Sequence, residues 1–256
     1  MSKTIAIIKL VCLVFALTVI NTSCSTKKDV LYFQNAKNAE TIVDTNTFNA
    51  RLKTGDILNI YISTPDLTVT EPYNLIESTG TSGGRLVDYL IDFEGNIDYP
   101  VLGKVKLEGL TIGEAKELFK KKFAEGKLLK DPVVIIRINN YRVSIFGQVN
   151  RPGVYPVTGE RMSILEALSA AGDLAITGKR DNVLVIRDFD GAKTYTRIDL
   201  TSKEVFNSPV YYLTQNDVVY VEPNSFGVSR ASGDARIGVL ASILGLTATI
   251  ILLFSI

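Results

Sequence analysis

The residues Gly238 to Ile256, GVLASILGLTATIILLFSI, contain no charged side chain. As an α-helix, this run would extend about 28 Å at about 1.5 Å per residue, close to a hydrocarbon thickness of roughly 30 Å. It is therefore read as a C-terminal transmembrane helix over 238–256. Its faces differ. Gly238, Ala241, Ser242, Gly245, Ala248 and Thr249 recur at helical spacing on one stripe, and Val239, Leu240, Ile243, Leu246, Ile250, Leu253 and Phe254 fill the rest. Small residues let helix backbones approach one another in lipid. The stripe is thus expected to face either a pore or a neighbouring helix. One helix cannot enclose a passage, whereas several side by side can, so the run predicts self-association.

Which membrane takes the tail is less constrained. Its eleven Val, Leu, Ile and Phe residues also suit an inner-membrane anchor, at about −0.3 to −0.6 kcal/mol each. Arg230 and Arg236 sit on the soluble side. With a periplasmic body, that positive flank would lie outside an inner membrane, against the usual bias. An outer-membrane crossing carries no such conflict.

The other terminus repeats the membrane theme. Lys3 and Lys9 supply a positive region, Leu10 to Ile20 an apolar stretch, and small polar residues follow; this is the layout of a secretory signal over 1–23. The apolar stretch is too short to span comfortably. Cys24, preceded by Thr22 and Ser23, resembles the lipobox of bacterial lipoproteins, with Asn21 where that pattern prefers an apolar residue. The resemblance implies acylation of Cys24; simple cleavage leaving a free thiol is the alternative. The other cysteine, Cys12, falls in the signal, so the mature chain forms no internal disulfide.

Composition removes several functions. Losing the signal takes away two lysines and no acids, which turns a formal charge of +1 into −1. There is no basic footprint for nucleic acid. No histidine occurs, so Ser-His-Asp and Cys-His nucleophile systems and histidine metal sites are absent. Gly103-Lys104 lacks the glycine spacing of a phosphate-binding loop. No tryptophan is present for sugar stacking. No catalytic, cofactor-binding or metal site is expected.

Between the termini the pattern is α+β. Residues 24–47 read as a tether from the lipid to the first domain. In RLKTGDILNIYIS, Leu58, Ile60 and Ile62 alternate on one strand face. A long loop rich in Ser, Thr, Gly and Pro follows. DYLIDFEGNIDYPVLGKVKLEGL reads as a hairpin turning at Glu94-Gly95-Asn96. Thr111 and Glu114 form a capping box that opens a helix through about Glu125, with Ala115, Leu118, Phe119 and Phe123 on one face and Gly126 as its stop. VVIIRI reads as a buried strand. A second domain starts near Tyr141 with RVSIFGQV, a turn at Arg151-Pro152-Gly153 and a return strand. Ser163 and Glu166 form another capping box, whose helix Gly172 ends, and VLVIR and TYTRIDL are further strands.

One pattern occurs twice: Leu52-x-x-Gly55-Asp56 and Leu213-x-x-Asn216-Asp217. Gly and Asn take the left-handed conformation most easily, and Asp can bond the local backbone, so both read as tight turns. Pairing the two carboxylates as catalysts is the weaker reading. Asp88, Asp92, Glu94 and Asp98 miss calcium-loop spacing and read as solvated turn acids.

LKTGDILNIYIS, GNIDYPVLGKVKLEGLTIGEAKELFKKKF, DPVVIIRI and VSIFGQVNRPGVYPV with SILEALSAAGDL, in that order, resemble the polysaccharide export lipoprotein family of Gram-negative bacteria. CSTKKDVLYFQN is similar to its Bacteroidetes branch. The resemblance implies a polysaccharide-export domain over 48–139, one β-grasp SLBB domain over 141–222, a linker over 223–237 and the tail. It further implies a lipid-anchored homo-oligomeric ring in the outer membrane, with periplasmic domains. Its expected partners are a polysaccharide cargo, membrane lipid and an inner-membrane copolymerase or tyrosine autokinase. The best-known members carry two SLBB domains, so a single one implies a shorter periplasmic body. A non-transporting SLBB-type binding or structural lipoprotein is the alternative.

Overall fold

A computed structural model describes residues 30–36, 50–78, 84–189, 191–231 and 245. Cys24 lies outside the described residues, as does the 238–256 run apart from Gly245. Among the described residues, no helix is long and apolar enough to cross a membrane.

Two hydrophobic cores divide the rest. In the first, β1 (Ile57–Ser63) turns Leu58, Ile60 and Ile62 inward, as their alternation requires. The segment expected as a long loop carries structure: a 3-10 turn at Thr68–Tyr73, then β2 (Ile76–Ser78) paired with β3 (Gly84–Leu86). β4 (Asp88–Leu90) pairs with β1.

The expected hairpin is displaced. β4 belongs to β1, not to the strand after the Glu94-Gly95-Asn96 turn. The pair is instead β5 (Asn96–Tyr99) with β6 (Gly103–Lys106). Their turn holds Val101 at φ 65°, a strained conformation for a β-branched residue. The earlier turn is a corner in which Asp92 Oδ1 accepts from the amides of Glu94 and Asn96 at 2.9 and 2.8 Å.

α1 (Ile112–Glu125) begins at the Thr111 capping box and stops at Gly126, as the sequence indicates. Its buried side chains Ala115, Phe119 and Phe123 form much of the first core, where Tyr99 meets Phe119 edge-on at 4.9 Å. β7 (Val133–Ile138) completes a sheet of order β4-β1-β7. This strand is half-buried rather than buried. Val134 and Ile136 face the core, while Val133 and Ile135 face outward at a sheet edge.

The second core belongs to 141–221. β8 (Arg142–Gly147) and β9 (Gly153–Pro156) form a hairpin. β10 (Met162–Ser163) leads into α2 (Ile164–Ala170), which starts at the Ser163 capping box. β11 (Gly178–Phe189), β12 (Ala192–Ile198) and β14 (Val218–Pro223) complete a five-stranded sheet of order β12-β11-β14-β8-β9, with β8 and β14 parallel. A 3-10 turn at Lys203–Asn207 and β13 (Tyr212–Leu213), paired with β10, lie between the last two strands. Gly147 has φ 93°, and a Cβ there would stand 2.2 Å from the Val221 carbonyl, so glycine permits the close strand approach. A short helix, α3 (Ser225–Ala231), leaves the sheet.

Candidate functional site

The two bodies meet at the repeated turns. Gly55 and Asn216 both take positive φ, at 86° and 64°. Asp56 accepts from the Lys53 amide at 2.9 Å, and Asp217 accepts from the Thr214 amide at 2.7 Å, the same three-residue closure. Asn140 lies between them. Its Oδ1 accepts from the Ile57 amide and its Nδ2 donates to the Gly55 carbonyl, both at 2.9 Å. Its own carbonyl accepts from Gln215 Nε2 at 2.6 Å, and Gln215 Oε1 accepts from the Arg142 amide at 2.7 Å. Asn140 therefore clamps both turns. Lys53 adds a bond to the Asp188 carbonyl at 2.8 Å.

Asp56 and Asp217 are each committed to their own turn. Burial pushes the Asp56 carboxyl up to about 6, against the opposing pull of the Lys53 amide and ammonium. Asp217, fully buried, is gripped by Arg187 through Nε at 3.1 Å and Nη2 at 2.7 Å. This makes them structural carboxylates. Of the acidic group, Asp92 forms the corner already described, and Asp88 accepts from Asn59 and from Asn139 Nδ2, the latter at 2.6 Å. Among the described residues no three side chains gather as a metal site.

A feature that sequence reading missed is a strap. Residues 30–36 lie against the second body. The Phe33 and Gln34 amides donate to the Leu200 and Thr201 carbonyls at 3.3 and 2.6 Å. Asn35 donates to Ser202 Oγ at 3.0 Å and accepts from the Lys203 amide at 2.7 Å. Phe33, at φ 49°, stacks on Phe206 with centroids 5.3 Å apart. Tyr32 donates to Asp173 Oδ1 and lies under the Arg180 guanidinium, 5.3 Å from its ring centroid. Burial, followed by the Asp173 carboxylate, holds the Tyr32 phenol well above its ordinary range. The aromatic pair Tyr32-Phe33 in a polar stretch was the available signal.

The strap ends beside the start of α3. A cavity of about 470 Å³ is lined by Gln34 and Thr201 on one side and by Pro223, Asn224 and Ser225 on the other, with Lys179 and Arg180 also facing it. Asn224 ties this corner together. Its amide donates to the Thr177 carbonyl at 2.7 Å and its Nδ2 to the Ile176 carbonyl at 3.0 Å.

Comparison with known proteins places both bodies. A family model described as polysaccharide biosynthesis/export protein matches residues 44–139, and the SLBB domain model matches 141–221. The two matches define a two-part architecture, an export-family domain followed by an SLBB domain. Residues 44–139 belong to the polysaccharide biosynthesis/export family, and residues 141–221 to the SLBB domains. The chain is similar to the EPS I polysaccharide export outer membrane protein EpsA of Ralstonia solanacearum, 26% identical over 185 residues, covering 68% of this chain and 48% of that protein. The EpsA of Ralstonia nicotianae is 31% identical over 156 residues, covering 57% and 40%. The chain thus spans less than half the length of these curated relatives.

Proposed function

We propose that this chain is a lipid-anchored outer-membrane protein that self-associates into a conduit for capsular or exopolysaccharide. The observation that supports it most is the order of its parts. An export domain is joined through Asn140 to an SLBB domain, and an uncharged run at 238–256 follows. The relatives this chain resembles are named as outer-membrane export proteins. Lipidation at Cys24 holds the body to one leaflet, and the tails of several copies gather to form the passage. The stripe Gly238, Ala241, Ser242, Gly245, Ala248 and Thr249 faces the neighbouring helix or the lumen. The cargo is fed from the inner membrane by a copolymerase, and the protein performs no bond chemistry.

Deletion of the gene tests this reading. Surface polysaccharide should vanish while polymer collects inside the outer membrane, and the full-length chain should restore it. Cys24→Ser and Leu246→Arg should each restore it poorly, the first by removing the acylated thiol and the second by placing a charge within the apolar run. Unchanged surface polysaccharide in the deletion strain would contradict the reading.

A further inference from the structure

The strap and the start of α3 border one cavity of the second body, and three apolar side chains close to it in the chain stand exposed. Ile176, Phe226 and Val228 are 61%, 56% and 52% exposed. They form one neighbourhood. Asn224 holds the Ile176 and Thr177 carbonyls, and Gly227 packs so closely on Thr177 that a Cβ would meet its side chain at 3.0 Å. Exposed apolar clusters mark interaction surfaces.

Chain length names the occupant. Val30, the first described residue of the strap, follows Cys24 by six residues, at most about 21 Å of extended chain. Ala231, the last described residue of α3, precedes the uncharged run by seven residues, at most about 24 Å of chain. Two membrane attachments on such short leashes are thus tied to segments that border one cavity, through Gln34 and Ser225.

We propose that Ile176, Phe226 and Val228 rest on the bilayer surface, as an interfacial foot that seats the second body on lipid. The opposite assignment, with the first body against the membrane, is disfavoured by the strap, which fixes the lipid-bearing end of the chain to the second body. The inference rests on the lipidated, tail-inserted reading above. It adds to that reading a defined surface on the folded domain and lipid as its partner.

The chain has no tryptophan, so a single introduced tryptophan reports its own surroundings. Full-length processed protein carrying Ile176→Trp, Phe93→Trp or Leu246→Trp is reconstituted into phosphatidylethanolamine/phosphatidylglycerol vesicles with brominated acyl chains. Phe93 is 99% exposed on the corner after β4 in the first body and serves as the distal control. The Ile176→Trp and Leu246→Trp proteins should each lose roughly half their emission relative to unbrominated vesicles, as expected for a ring about 5–10 Å into the interface or deeper. Phe93→Trp should lose none. Quenching at Leu246→Trp without quenching at Ile176→Trp overturns the foot but leaves the tail inserted. A blue-shifted, unquenched Ile176→Trp would assign that face to a second copy. Equal quenching at Phe93→Trp and Ile176→Trp also overturns it. No quenching at Leu246→Trp removes the membrane reading itself.

Discussion

Asn140 and Gly55 are joined across the two bodies, with the Asn140 side-chain amide donating to the Gly55 carbonyl at 2.9 Å. The same side chain accepts from the Ile57 amide. Asn140→Ala strips both partners and leaves two backbone groups of the first body unpaired. A loss of about 1–3 kcal/mol in unfolding free energy is expected, with faster proteolytic cutting near residue 140. Denaturant titration and timed proteolysis check both. An unchanged cleavage rate would show that the joint is held elsewhere.

Asp56 sets a pH dependence of defined sign. Burial raises its carboxyl from 3.8 to about 6. The folded chain therefore keeps this proton to higher pH than the unfolded chain does. Stability from this group is fully present below about 4 and falls as pH rises toward about 6, by about 3 kcal/mol in all. Asp56→Asn keeps an acceptor for the Lys53 amide and should flatten that slope. Unfolding midpoints measured from pH 4 to 7 for both proteins decide it.

Arg187 neutralises Asp217, which has no exposed surface. Arg187→Met should cost about 3–5 kcal/mol, because it leaves a buried carboxylate uncompensated. Arg187→Lys should recover only part of this, since one ammonium cannot reproduce contacts made from two guanidinium nitrogens. Thermal unfolding of the three proteins gives the order.

The strap is testable apart from the tail. Phe33→Ala removes the ring stacked on Phe206 and should lower stability by about 1–3 kcal/mol. Hydrogen exchange at the Phe33 and Gln34 amides should rise with it. Leu31→Ala, at an exposed neighbour, should change neither.

Local chemistry made much of the fold legible. The Thr111 and Ser163 capping boxes announced the starts of α1 and α2, because a hydroxyl and a carboxylate three residues apart satisfy amides within one turn. The Leu-x-x-Gly/Asn-Asp repeat gave two tight turns correctly. What it could not give was Asn140 between them, since that contact joins residues 85 positions apart. The β5–β6 hairpin was misplaced because Glu94-Gly95-Asn96 is a good turn in its own right, and only the pairing of β4 with β1 shows that it makes a corner. VVIIRI reads as buried because its outward residues Val133 and Ile135 are as apolar as its inward ones. The strap was missed despite its aromatic pair, because Tyr32 and Phe33 find their partners at Asp173, Arg180 and Phe206, far along the chain. The small-residue stripe and Cys24 rest on sequence pattern alone, outside the described residues.

Electron microscopy of the full-length protein extracted in detergent from native membranes bears most directly on the shared passage. The expected result is a closed ring of several copies, with the second bodies and the detergent belt at the same end. Solitary particles, with the 238–256 run recovered in the cytoplasmic membrane, would contradict it.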